Sequence, residues 1–139
     1  MAKSDSLTYS EFIFIYDELF KISDTWADLW MLLFLLHSEC GRVINIRHSD
    51  IKGDYLHLPE TKKFKSCNIF LDGKVKHIFK MRKKLNPGDI YVFQSKSNRV
   101  KFKVKPVTAI AMNMALKVAA KKITNKNISM KSSLNVNNG

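Results

Sequence analysis

Two cysteines in 139 residues, Cys40 and Cys67, are too few and too far apart for a disulfide framework. Neither belongs to a Cys-x-x-Cys pair, and no Cys/His cluster has metal-ligand spacing. Both are expected to be ordinary reduced, partly buried thiols, and no metal or cofactor is expected. Five glycines and three prolines leave no glycine-rich phosphate loop and no proline-rich linker. The longest apolar run, Leu29 to Leu36, falls well short of the roughly 20 residues a bilayer span needs. The N-terminal stretch MAKSDSLTYSEF has no signal-peptide layout, so a cytoplasmic protein is expected, with no membrane partner.

Acidic residues are also scarce, and unevenly so. Residues 1–39 hold seven Asp/Glu against two Lys, a net of −5, whereas residues 40–139 hold five Asp/Glu against twenty-two Lys/Arg, a net of +17. The total of +12 favours a polyanionic partner, and nucleic acid is the first candidate. No RNA-module motif or aromatic platform is present. A solvated basic surface is the plain alternative. With 45% hydrophobic and 11% aromatic residues the chain can still bury a core of one modest domain.

The order of elements follows from local signals. Thr8 with Glu11 forms a capping box ahead of Phe12, Ile15 and Leu19, predicting a helix to about Lys21. Ser23 or Asp24 opens a second helix that is apolar on most sides (Trp26, Leu29, Trp30, Leu32, Leu33, Leu36), predicting a buried central helix with His37 as a structural residue at its end. Cys40, Val43, Ile44 and Ile46 predict a short third helix. Ile51-Lys52-Gly53-Asp54 reads as a turn, Tyr55–Leu58 as an edge strand stopped by Pro59, and Ser66–Leu71 as its antiparallel partner. Lys62, Lys63 and Lys65 lie in the connecting turn. A helix from Asp72 or Gly73 turns Val75, Ile78, Phe79 and Leu85 inward and presents Lys74, Lys76, Lys80, Arg82, Lys83 and Lys84 outward, until Asn86-Pro87-Gly88 ends it. Tyr91–Phe93 reads as a short buried segment. Lys101 and Lys103 alternate with apolar residues in an extended segment. A last helix is expected from Val107 to about Ile123, with Ile110, Met114, Leu116, Val118 and Ala119 as core. The polar remainder predicts a flexible tail over 129–139, behind a single domain over 1–128.

Two segments then carry a resemblance. LHSECGRVINIRHSDI followed by KKFKSCNIFL, and later DIYVFQSKSNRVKFKVKPVTAIAMNMALKVAAKKI, resemble in order and spacing the first part of the catalytic domain of tyrosine recombinases, the phage-integrase family. The resemblance runs from about Leu7 to Ser129. It implies a mainly α fold with a small antiparallel β-hairpin or sheet, as in a truncated catalytic domain of that family. It also implies a role on DNA, in recombination and integration. Members of the family cut and rejoin strands through a tyrosine–phosphate link, with two arginines, a lysine and a histidine around the phosphate. Guanidinium forks suit the charge that builds on the phosphoryl oxygens, and a hairpin lysine suits an acid for the leaving oxygen.

Lys62 stands at the family's hairpin lysine, though a solvated turn lysine is the plain reading. An ungapped match from Asp50-Ile51 places Glu39 where the family has its first arginine, and Arg42 where it has a glutamate. A gapped match that uses Arg42 as the arginine shortens the helix by about a turn and spoils the phase of Cys40, Val43, Ile44 and Ile46. Glu39 and Arg42 are spaced to pair along the helix. Further on, Lys131 replaces the family histidine and Leu134 its second arginine. Tyr9, Tyr16, Tyr55 and Tyr91 all fall too early to be the nucleophile. The expectation is a DNA-binding, catalytically inactive relative of an integrase, with Lys62, Lys63, Lys65, Arg47, Lys101 and Lys103 on the phosphate backbone. The alternative is a regulatory partner that associates with itself or with a full-length recombinase, through an apolar groove beside Trp26, Trp30 and the last helix.

Overall fold

The computed structural model describes residues 6–96 and 104–137, and the chain divides into two compact units, Met1–Val43 with Val107–Gly139, and Ile44–Pro106. The first unit is discontinuous in sequence, and the second lies between its two segments.

The first unit starts with β1 (Leu7–Thr8) and α1 (Tyr9–Ile22). Thr8 caps α1 as its sequence predicts: its Oγ1 accepts from the Glu11 amide at 3.1 Å, and the Glu11 carboxylate accepts from the Thr8 amide at 3.0 Å. The Ser23 hydroxyl caps α2 (Asp24–Leu36), which ends at His37 in the left-handed conformation, φ 51°. His37 is thus the structural helix-end residue expected, its Nδ1 2.8 Å from the Phe34 carbonyl oxygen. Phe12 and Trp30 are fully buried, with ring centroids 5.1 Å apart, and Phe34 lies 4.6 Å from Phe12. The Trp30 Nε1–H donates to the Phe12 carbonyl at 3.1 Å, so the buried indole has a polar partner as well as ring contacts.

Helix α5 (Ala109–Lys121) is capped by Thr108 and packs against α1. It turns Met112, Ala115, Leu116, Ala119 and Ala120 inward and leaves Ile110, Met114 and Val118 exposed. Hydrophobicity along the sequence predicts those three in the core. The buried face is built mainly from alanines, whose small side chains let two helices approach closely.

Met130–Leu134 form a 3-10 helix with Met130, Ser132 and Ser133 buried, and β5 (Val136–Asn137) pairs in parallel with β1. The Met130 amide donates to Asn113 Oδ1 at 3.0 Å and the Ser133 hydroxyl to the Met130 carbonyl at 2.7 Å. Hydrogen bonds and the buried Met130 side chain both tie this segment to the first unit.

Lys126 bridges back to α1. Its ammonium donates to Glu11 Oε1 at 2.8 Å and to the Ser6 carbonyl at 3.3 Å. This bond, together with the Thr8 amide, holds the Glu11 carboxyl below its ordinary value of 4.5. The unfolded chain therefore binds the proton first, so the contribution of Glu11 to stability is fully present above pH 4.5 and is lost as pH falls through the lower folded value. Denaturant midpoints followed into acid should fall less steeply for Glu11→Gln than for the parent chain. Parallel curves would show that the bridge contributes nothing.

The second unit contains β2 (Ile51–Lys52), β3 (Tyr55–Leu58) and β4 (Cys67–Phe70) in an antiparallel sheet of that order. Tyr55–Leu58, expected at an edge, is the central strand, because Ile51-Lys52 pairs with it instead of serving only as a turn. Gly53 makes the tight return at φ +60°, a conformation that costs residues with a Cβ. Leu56 and Leu58 face the core, while Tyr55 and Phe70 meet edge-on across the outer face, centroids 5.7 Å apart. Helix α4 (Gly73–Leu85), capped by Asp72, buries Val75, Phe79 and Arg82. Arg82, read from sequence as part of the outward charged face, is 6% exposed; its Nε donates to the Val92 carbonyl at 2.9 Å and its guanidinium lies 5.0 Å from the Phe93 ring centroid. Leu85, expected inward, is exposed.

Candidate nucleic-acid interface

The connection between β3 and β4 is a compact basic loop. Its turn is closed by the Thr61 amide donating to the Phe64 carbonyl at 2.8 Å. Thr61 Oγ1 accepts from the amides of Lys63 and Phe64 at 3.3 and 3.0 Å. The threonine thus organises the loop from within. Residues 59–68 are all exposed, so the side chains of Lys62, Lys63 and Lys65 face solvent. Below the tip, His57 and Asn68 are joined across the strands at 2.9 Å, and the Leu71 amide donates to the Asp54 carbonyl at 2.8 Å. The lysines are therefore presented on a registered ribbon.

Arg47 precedes a 3-10 turn (His48–Asp50) and is exposed. Its guanidinium lies 5.2 Å from the Tyr91 ring centroid and donates to the Tyr91 hydroxyl at 3.3 Å. The stacking pre-orders the fork without burying it. Backbone bonds from His48 to Ile90 and from Val92 to Ile46 hold the two segments together. The second unit thus contains Arg47 with the three hairpin lysines. Lys101 and Lys103 lie outside the described residues.

The positions that the resemblance assigns to catalysis are occupied differently. Glu39 caps α3 (Cys40–Ile44): Oε1 accepts from the Gly41 amide at 3.0 Å and Oε2 from the Arg42 amide at 3.1 Å. Its carboxylate serves the helix end and has no fork geometry for a phosphate. Arg42 is half-buried, one turn further on, and Glu39 meets it through the backbone amide. Lys131 is exposed on the 3-10 helix, beside half-buried Leu134. Burial pushes the Cys40 thiol up, the Glu39 charge adds to that, and Lys131 opposes it. Glu39 and Lys131 thus share a neighbour in the first unit. Cys40 is buried, but Cys67, expected to be partly buried, is exposed. Among the described residues no group of three His, Cys, Asp or Glu side chains is placed to hold a metal ion, and no helix is long and apolar enough to cross a membrane.

These elements define an integrase-like fold. No family model matches the chain, and no curated protein matches it significantly. Solved structures do. A lambda integrase fragment crystallised as a dimer bound to a COC' core site superposes at a TM-score of 0.77 with 16% identity, over 97% of this chain and 50% of that one. A lambda integrase dimer on a COC' core site gives 0.75 and 16%, over 97% and 39%, and a lambda integrase fragment bound to DNA gives 0.75 and 15%, over 97% and 49%. The chain spans about half the length of these proteins or less. The mainly α fold with a small antiparallel sheet, expected from the residues and the resemblance, is the fold observed.

Proposed function

We propose that this chain grips DNA by its phosphate backbone and does not cut strands unaided. The observation that carries the reading is the ribbon tip: three exposed lysines, held on a hairpin of an integrase-like fold, in a chain of net charge +12. Lys62, Lys63 and Lys65 would each contact a phosphate, with Arg47 of the same unit and Lys101 and Lys103 adding to the footprint. Such contacts supply affinity with little sequence information. Its place of action would be the cytoplasm, where DNA is accessible. The lack of strand cleavage is supported by Glu39, whose carboxylate caps a helix where the resemblance calls for an arginine, and by Lys131 and Leu134 further on. A tyrosine nucleophile has no assigned position. Duplex binding measured by anisotropy should give a straight, falling line of log affinity against log salt. A flat line would exclude phosphate contact as the source of affinity.

A second reading, as a partner of itself or of a full-length recombinase, is favoured by one observation. Ile110, Met114 and Val118 form an exposed apolar stripe at helical spacing on α5. The groove first expected beside the tryptophans does not support it, since Trp30 is fully buried and Trp26 half-buried.

A further inference from the structure

The second unit carries a cavity that the hairpin reading leaves unused. It is an open groove of about 830 Å³ along α4, with Ile51 and Phe79 in its lining and Lys76, Lys80, Lys83 and Lys84 around them. Lys76 is engaged by Asp54, and Lys83 donates to the Pro87 carbonyl at 3.0 Å. Lys80 and Lys84 meet no carboxylate among the described residues. The His48 imidazole, also on the groove, is held below its ordinary value by burial and then by the Lys83 charge, with Asp89 opposing. A phosphate would use the rim and find nothing in the apolar floor. The groove fits an occupant with both carboxylates and an apolar anchor.

The chain itself presents such a surface. On α1, Phe14, Asp17 and Phe20 recur every three residues and share one side of the helix. Phe14 is 55% exposed, Phe20 56% exposed, and Asp17 is exposed with no ion pair among the described residues. Glu18, the neighbouring acid, is already engaged by Lys21 and Lys122. The stripe thus alternates aromatic, carboxylate and aromatic groups. It lies within the −5 portion of the sequence, whereas the groove lies within the +17 portion.

We propose that the groove on α4 receives the Phe14–Asp17–Phe20 face of α1 from a second copy of this chain. The contact is heterologous: a different patch is used on each partner, so copies join head to tail. It requires neither the hairpin lysines nor DNA. Each partner supplies what the other lacks, an aromatic wedge for an apolar floor and a carboxylate for unpaired ammonium groups.

Sedimentation velocity on the full chain over a concentration series, in low and high salt and without DNA, tests this. The parent chain should associate with rising concentration, and added salt should weaken the association. Lys80→Glu/Lys84→Glu and Asp17→Lys should each raise the dissociation constant by at least about tenfold, which is about 1.4 kcal/mol. Mixing the two variants restores opposite charges across the contact and should restore association. Thermal melts of each variant establish that it folds, and Phe14→Ala/Phe20→Ala provides a charge-neutral disruption of the same face. Lys62→Ala/Lys63→Ala/Lys65→Ala should associate like the parent chain, so a failure of DNA binding is distinguishable from a failure of this contact. The proposal is overturned if the parent chain stays monomeric at all concentrations, or if the folded variants associate as the parent does. Loss of DNA affinity in the Lys80→Glu/Lys84→Glu variant with association unchanged would make the groove a phosphate surface instead, and would overturn it as well.

Discussion

Lys62→Ala/Lys63→Ala/Lys65→Ala is expected to weaken duplex binding by about two to three orders of magnitude at 0.1 M salt and to flatten its salt dependence by nearly three in log–log slope. Both numbers follow from counter-ion release. Each phosphate neutralised contributes roughly 0.9 to the slope, and near 0.1 M salt each such contact is worth up to about a factor of eight in affinity. The loss should be nearly the same on unrelated duplex sequences, because backbone contacts position a protein without reading bases. The loop is closed by Thr61 and by backbone bonds, so the truncations should leave the hairpin intact. Anisotropy titrations at several salt concentrations measure both quantities. An unchanged slope would show that the three ammonium groups face solvent and nothing else.

Phe12→Ala is expected to lower the unfolding free energy by about 3–5 kcal/mol. The side chain is fully buried, and its ring lies 5.1 Å from that of Trp30 and 4.6 Å from that of Phe34. Truncation removes the transfer free energy of the ring and leaves a cavity between α1 and α2 that rigid aromatic neighbours fill poorly. The carbonyl that receives the Trp30 bond belongs to the backbone and persists, so the indole keeps its polar partner. Phe12→Leu retains much of the volume and should cost about half as much. Chemical denaturation read by tryptophan fluorescence measures the change. A loss under about 1 kcal/mol for the alanine variant would mean that the cluster collapses freely around the gap.

Much of this architecture is legible from local chemistry. The caps of α1, α2 and α4 are set by Thr8 with Glu11, Ser23 and Asp72, and each acts within a few residues of the helix it starts. The β3–β4 ribbon announces itself by alternating residues around a polar turn, which also exposes its three lysines. Where sequence pattern and structure differ, two local patterns compete. Helix α5 has large apolar residues at Ile110, Met114 and Val118 and a second face rich in alanine. Hydrophobicity alone selects the larger set, whereas close packing against α1 selects the smaller. Arg82 stands at an inward position of the period defined by Val75 and Phe79, yet its charge suggested solvent. The partners that make its burial tolerable, Val92 and Phe93, are about ten residues away. Strand β2 has two residues, too few to show alternation.

The site divides in the same way. That Lys62, Lys63 and Lys65 sit in a turn follows from the sequence pattern. That Arg47 stacks on Tyr91, across more than forty residues, does not. The resemblance sets Glu39 against an arginine of the family pattern, but the use of Glu39 as a helix cap required the geometry of the Gly41 and Arg42 amides.

The amino-acid order by itself determined the helix starts, the basic ribbon and the separation of an acidic front from a basic remainder, because caps, alternation and charge act over a few residues or simply add along the chain. Tertiary structure alone decided which face of α5 is buried, that Arg82 turns inward, and that Met130, Ser132 and Ser133 are buried beside a strand paired with β1. Each of those outcomes depends on a partner distant in sequence, such as α1, the Val92 carbonyl or strand β1, and burial becomes favourable only once that partner is in place.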